Sequence, residues 1–470
     1  MIVLKQNIPL DKNQSINWVQ LIVKSKDTVQ EKNQSIYIKD SIRDCIAKMD
    51  RLLEKQLNAI LHHPEFQQLE STWRSLHFLV FSFKKSRRLM IRGLNIHRNE
   101  LLRDFEMAVD FDKSKLFKLV YEEEFGTFGG TPFGLLIGDM AFSHSPQDLF
   151  LLEALSKVAS ASHAVFLSGV APKLLDIDHF TELSIPREWK RIFERKELVR
   201  WHSLRKREDF RYVALTLPRF VLRAAYGLTT GREKPGPLNF EEQTVDARSQ
   251  YYLWGNAAFL LAQRICIAFL QDGWRADFHG MLSGRVEQTP QLRYDTLNHT
   301  KNTAEVIITD EMERQLSREG LLSICRNRRD NVPVVLSTQT VYQPRFFKGK
   351  PAISENDRIA ARLPHVLNAC RFAHYFKAIL RDKIGKFINR AEIEKYLNDW
   401  LRQFVISDST ADTRIKHLKP LKESRVEVIE TPRKPGKYIL IANIRPHYQL
   451  EGLGAAVRLV SEVPSTQSRV

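Results

Sequence analysis

Apolar positions follow three different rhythms along this chain of 470 residues. Ile38, Ile42, Cys45, Met49 and Leu52 recur at three- and four-residue steps, joined by Ile46, Leu53, Leu57 and Ile60. Lys48, Asp50, Arg51, Glu54 and Lys55 take the other side, so the pattern predicts an amphipathic helix from Ile38 to Leu61 whose stripe needs a partner. Pro64 then stands at a natural helix start. Phe66, Leu69, Trp73, Leu76 and Val80 follow as one stripe while Phe78 and Phe81 begin a second, so this next helix needs cover on two sides.

The period then changes. Phe133 to Ile137 is a short apolar run closed by Gly138, and Ser145 can cap a helix with Pro146 at its first position and Asp148 in its first turn. Leu151, Leu155, Val158 and Ala159 give that helix a buried face, and Ala164 to Leu167 returns as a strand. Strand, helix and strand in that order predict a parallel crossover. The rhythm recurs in a helix around Tyr251 to Leu270, strands over "RADFHG" and "AEVIITD", a helix from Asp310 stopped by Gly320, and the apolar runs "LLSIC" and "VPVVLS". An α/β body is expected. Near the end, Val426 and Val428, then Tyr438, Leu440 and Ala442, alternate at strand spacing around the turn signal "PRKPG". Gly452, Gly454, Ala455 and Ala456 precede a last apolar run that includes Val457 and Leu459. A hairpin plus a third strand is expected, with edges that can recruit strands from other chains.

Composition narrows the class. With 43% hydrophobic residues the chain can bury a large core. Cys45, Cys266, Cys325 and Cys370 lie far apart with no CxxC spacing, which suggests neither a zinc knuckle nor a disulfide framework and fits a reducing compartment. "MIVLKQNIPLDKNQ" lacks the features of a signal peptide. The longest apolar stretch, Tyr251 to Leu270, is interrupted by Asn256, Gln263 and Arg264, as in a buried helix rather than a membrane span. A cytoplasmic protein without membrane insertion is expected. The net charge of +17 could mean a polyanion partner. Its clusters are Lys84 to Arg88 and Pro186 to Arg211, the second interleaved with Glu188, Glu194, Glu197, Glu208 and Asp209. That interleaving favours a solvated or protein-facing surface, with a basic nucleic-acid-binding scaffold as the alternative.

Catalytic signatures are sparse. His62 and His63 are adjacent, so on a helix they diverge by about 100° and cannot share a metal. Glu70 and Arg74, four apart, read as a surface staple. No GxGxxG follows a strand, no GxxxxGK[ST] occurs, and "FLSGV" around Ser168 lacks the first glycine of a nucleophile elbow. Gly126, Gly129 and Gly130 could cradle an anion, but without a following lysine they read as a turn. Asp139 and Asp148 read as caps. Arg211, Arg219 and Arg223 could grip phosphates; equally they could pair with the carboxylates of "NFEE" (Asn239 to Glu242). No catalytic residue, metal or cofactor is expected, and an enzyme would need a pocket with perturbed carboxylates around Asp139 or Glu241.

Seven blocks occur in one order: "HHPEFQQLESTWRSLHFLV", "GGTPFGLLIGDMAF", "SPQDLFLLEALSKVASASHA", "EDFRYVALTLPRFVLRAAYG", "YLWGNAAFLLAQR", "ARLPHVLNACRFAHYFKAILRDKIG" and "NIRPHYQLEGLGAAVRLVSEVP". Together they resemble the VipB/TssC family, the large subunit of the contractile sheath of bacterial type VI secretion systems. Ser75 stands where that family usually has glycine, Ala225 where proline is common, and "GMLSGRVEQTP" replaces a more glycine-rich loop. The resemblance implies three regions. Residues 1–85 form an N-terminal helical segment pairing with a small sheath subunit of the VipA/TssB type. Residues 86–423 form a mixed α/β sheath body, and residues 424–470 form antiparallel strands of an inter-subunit connecting sheet. Ile38, Ile42, Met49, Leu53 and Trp73 are then expected at the partner interface, and Val426, Val428, Tyr438, Leu440, Ala442, Val457 and Leu459 in the inter-protomer strands. The heterodimers would stack with further copies on a baseplate, as a helical tube around an inner tube of the Hcp type. Contraction would propel that inner tube without a cofactor, and a disassembly ATPase of the ClpV type would act through the small subunit. Truncation after Lys422 is expected to leave a soluble heterodimer that forms no long tubes.

Overall fold

The computed structural model describes residues 31–83, 86, 88–127, 129–185, 189–226, 240–243, 251–273, 278–286, 292–293, 300–301, 304–327, 332–382, 390–408, 415, 418–430, 438–446 and 457–463. Two helices lead, α1 (Glu31–Leu61) and α2 (Pro64–Phe81), followed by α3 (Arg98–Met107). The first βαβ unit is β1 (Leu135–Phe142), α4 (Pro146–Ser162) and β2 (Val165–Val170). As the sequence predicts, the Ser145 side chain accepts from the Asp148 N–H at 3.2 Å and Pro146 opens α4. Gly138 does not close β1. The strand runs through it, and a Cβ there would meet the Phe166 ring at 2.7 Å, so glycine allows β1 and β2 to lie close.

After α5 (Val199–Arg205), β3 (Val213–Leu217) enters the sheet, then α6 (Ala258–Asp272), α7 (Asp310–Arg318), β4 (Leu321–Arg326) and β5 (Pro333–Val335). The sheet order is β1-β2-β3-β4-β5, with β1 to β4 parallel and β5 antiparallel at one edge. β2, β3 and β4 are buried on both faces, as parallel strands under helices must be, while the edge strand β1 is only partly covered. Phe166, Val213, Leu215 and Leu321 face a core with Leu155, Val158, Trp201 and Phe210, while Val165, Leu167, Ala214 and Leu322 face Leu260, Leu261 and Leu79.

Three sequence expectations shift here. The helix around Tyr251 starts only at Ala258, because Trp254 and Gly255 pair with Val221 and Phe220. "AEVIITD" is not a strand: Ala304 makes an isolated bridge to Phe220, Val306 and Ile308 fill the core, and Thr309 already caps α7. β3 has β2 and β4 on its two sides and so offers no place for it. The first half of "RADFHG" lies outside the described residues, and its end turns into a short helix at Gly280–Ser283.

Beyond β5 the main elements are α8 (Pro351–Ala360), α9 (Leu363–Asp382), α10 (Arg390–Arg402), β6 (Leu421–Glu430), β7 (Tyr438–Pro446) and β8 (Val457–Val463). α9 belongs to two cores. Leu363, Val366 and Cys370 pack under the parallel sheet, whereas Phe372 and Phe376 join Leu397 and Leu401 of α10 against β6 and β7. The C-terminal strands form one antiparallel sheet in the order β6-β7-β8. The chain is thus mixed α/β, with leading helices and a terminal antiparallel sheet.

Candidate assembly surfaces

α2 docks by its small and polar side. Ser71 Oγ donates to the Trp254 carbonyl at 2.8 Å, Thr72 Oγ1 donates to Asp139 Oδ2 at 2.6 Å, and Gln263 Nε2 donates to Ser82 Oγ at 2.8 Å. Ser75 and Leu79 are the buried residues of this face. The apolar stripe predicted from sequence therefore points away from the chain's own core. Trp73 is 65% exposed, and Phe66, Leu69, Val80 and Phe81 are exposed beside it. α1 behaves the same way, with Ile42 at 50%, Met49 at 54% and Leu53 at 47%, and Ile46, Leu52 and Ile60 also exposed. Ile38 lies in α1, with its side chain outside the described residues. Exposed apolar residues repeated along two consecutive helices are what a soluble monomer avoids and an interface uses.

A polar network fixes these helices to the body. Glu70 is no surface staple: its Oε1 accepts from Arg74 Nε at 2.7 Å and from Arg223 Nε at 2.8 Å. Arg223 also donates to both oxygens of the buried Glu242, Nη1 at 2.5 Å and Nη2 at 3.1 Å. Burial alone would raise the Glu70 carboxyl, but the Arg223 and Arg74 guanidiniums outweigh it and hold the group below its ordinary range. Asn58 of α1 accepts from the Gln243 N–H at 2.9 Å, and His62 Nε2 lies 3.4 Å from Glu242 Oε1. Of the histidine pair, His62 thus lies at the joint between α1 and the body, whereas His63 is exposed at the start of α2.

The three arginines that could hold phosphate all face carboxylates. Arg223 takes Glu242 of "NFEE", Arg219 makes a bidentate pair with Glu305 at 2.8 Å, and Arg211 pairs with Asp357. The second basic cluster is partly internal. Arg205 is 2% exposed and bound to Glu319 and two backbone carbonyls, and Arg207 donates to Glu153 and Asp209. Lys84, Lys85 and Arg87 of the first cluster lie outside the described residues.

Asp139 and Asp148 are not caps. Asp148 accepts from the Ser143 N–H and hydroxyl and pairs with Arg98, while Asp139 sits within β1 and holds Thr72. A cleft of about 490 Å³ opens beside Asp139, walled by Trp254, Tyr252, Asn256, His179 and Arg219. Its crowded surroundings raise the Asp139 carboxyl, the feature an enzyme would have needed there, although the side chain stays solvent-exposed. Among the described residues no group of three His, Cys, Asp or Glu side chains could hold a metal, and burial pushes the Cys266 and Cys325 thiols up to about 12. No described helix is long and apolar enough to cross a membrane.

At the other end of the chain, Val426, Val428, Leu440 and Ala442 turn fully buried side chains into the core they share with α9 and α10. Tyr438 pairs with Glu430 and Val463, Val457 with Ile444, and Leu459 with Ala442, all through the backbone. The sequence reading passed over α10, although Ile393, Leu397 and Leu401 recur at four-residue steps and are its buried face.

Comparison with known proteins assigns almost the whole chain. Residues 43–342 match the family model described as EvpB/VC_A0108, tail sheath N-terminal domain, and residues 352–463 match EvpB/VC_A0108, tail sheath gpW/gp25-like domain. The type VI secretion system sheath protein TssC1 of Pseudomonas aeruginosa is 39% identical over 437 residues, covering 91% of this chain and 86% of that protein. Two solved structures are more distant. A chain of the anti-feeding prophage baseplate has 14% identity and a TM-score of 0.32, covering 71% of this chain and 69% of that one. The sheath tail protein Lin1278 of Listeria innocua has 10% identity and a TM-score of 0.34, covering 72% and 57%. This chain belongs to the EvpB/VC_A0108 (VipB) family of type VI secretion tail-sheath proteins.

Proposed function

We propose that the chain is the large, cytoplasmic subunit of a contractile sheath. It pairs with a small sheath subunit of the VipA/TssB type, stacks with further copies on a baseplate around an inner tube of the Hcp type, and contracts to propel that tube. Recycling by a ClpV-type ATPase acts through the small subunit. The role is structural, and the chain contributes no catalytic residue or cofactor. The observation that carries this proposal is the 39% identity to a type VI sheath protein over 91% of the chain. The two exposed helical stripes support the pairing step in particular. Ile42, Met49, Leu53 and Trp73, with Ile38 in register on α1, would lie under the small subunit. The hairpin and β8 would carry connections between protomers, because backbone pairing is directional and survives rigid-body rotation of the units it joins.

Co-purification tests the pairing. Ile42→Asp combined with Met49→Asp places two charges in the stripe, and the double variant should lose the small subunit while the wild-type chain retains it. Unchanged co-purification would remove α1 from the interface.

A further inference from the structure

An outer strand presents a row of unpaired N–H and C=O groups, and an open row is a template for any other strand. The C-terminal sheet has two outer strands, β6 and β8. On β6 the outward backbone groups of Leu421 and Val426, and the Val428 N–H, are already taken by the chain itself. Asn398 Oδ1 accepts from the Val426 N–H at 2.9 Å, and Asn398 Nδ2 donates to the Val426 carbonyl at 2.9 Å. One turn earlier on α10, Glu394 Oε2 accepts from the Val428 N–H at 3.2 Å. At the start of the strand, the Leu421 N–H donates to the Phe404 carbonyl at 3.1 Å and the Ile406 N–H donates to the Leu421 carbonyl at 2.9 Å. A carboxamide offering one acceptor and one donor to a single residue reproduces the two bonds that residue would exchange with a neighbouring strand. Glu394 and Asn398 are four apart and share one side of α10, while Leu397 and Leu401 root the helix in the core and fix their position. Along β8, by contrast, no strand pairs with the outer edge among the described residues.

We propose that Asn398 and Glu394 form an edge lock, closing β6 so that a strand from a neighbouring copy of this chain can join the C-terminal sheet only along Val457–Val463. The lock rests on the reading that this sheet connects protomers. Two open edges would let copies join at either side and branch; one open edge gives each sheet a single acceptor, the head-to-tail condition for an unbranched helical assembly.

The test uses the full chain co-expressed with the small sheath subunit, read by amide hydrogen exchange and negative-stain microscopy. Asn398→Leu removes both bonds to Val426 at similar size, and exchange of the Val426 amide should rise about tenfold or more, with irregular lateral aggregates appearing beside tubes. Glu394→Ala should do the same at the Val428 amide. Its position on α10 is only partly buried, so it stays informative if Asn398→Leu does not fold. Unchanged exchange and unchanged tubes in the Glu394→Ala variant would overturn the lock. Val460→Pro, which interrupts β8, tests the underlying reading separately: it should give heterodimers without long tubes, and normal tubes would refute strand connection through β8 whatever the lock variants do.

Discussion

Trp73→Ala separates an interface residue from a core residue. A tryptophan side chain buries about 150–250 Å² when fully covered. With 65% of the residue exposed in the single chain, roughly 100–160 Å² is left for a partner. At about 25 cal/mol per Å² that area is worth about 2.5–4 kcal/mol of association, and at 1.4 kcal/mol per decade the variant should bind the small subunit about 60- to 700-fold more weakly. Its own fold should lose under about 2 kcal/mol, since little of the ring is covered and alanine favours the helix. Leu79→Ala is the control. That residue is buried beneath the parallel sheet, so its truncation should cost about 2–5 kcal/mol of stability with affinity unchanged. Dissociation of the purified pair on dilution gives the affinity, and thermal unfolding gives the stability. Trp73→Ala with wild-type affinity would refute the interface assignment, and Trp73→Ala unfolding as early as Leu79→Ala would place the ring in the core.

Arg223→Ala strands the buried Glu242 without its charged partner, and the melting temperature should fall by the equivalent of about 3–5 kcal/mol; a shift under about 1 kcal/mol would mean solvent reaches the site. Gly138→Ala sets a methyl 2.7 Å from the Phe166 ring and should destabilise by about 1–3 kcal/mol in a denaturant titration. Burial is the main cause that lowers His163, His365 and His374 to about 4, so the unfolded chain takes up protons near pH 6.5 that the folded one refuses. Stability should therefore be full above pH 6.5 and decline steadily toward pH 4, and a melting temperature flat across that window would contradict it. Truncation after Pro446 removes β8 and should give soluble heterodimers without long tubes. Truncation after Lys422, which the sequence pattern suggested would be harmless to the heterodimer, uncovers Phe372, Phe376, Leu397 and Leu401 and should aggregate instead.

What could be read in advance was set by local rules. Ser145 and Pro146 announce α4, Gly320 ends the turn after α7, and the apolar runs 165–170 and 321–326 become parallel strands because both faces are covered. The stripes of α1 and α2 were legible as periodicity, but their outward direction was not. Periodicity marks a face without saying whether the same chain covers it, and on α2 the face that docks is Ser71, Thr72 and Ser75. Asp139 shows the same limit: its place after an apolar run suggested a cap, but the strand continues past it and brings it to Thr72. Glu305, Asp357 and Glu319, the carboxylates that neutralise Arg219, Arg211 and Arg205, lie 86, 146 and 114 residues away in sequence, and no local pattern announces such pairs.

Electron microscopy of this chain co-expressed with its small sheath subunit tests the central claim most directly. Long hollow tubes of uniform diameter, in which α1 and α2 are covered by the second subunit, are the predicted result. Dispersed single chains that leave the small subunit unbound, with no tubes at any concentration, would contradict it.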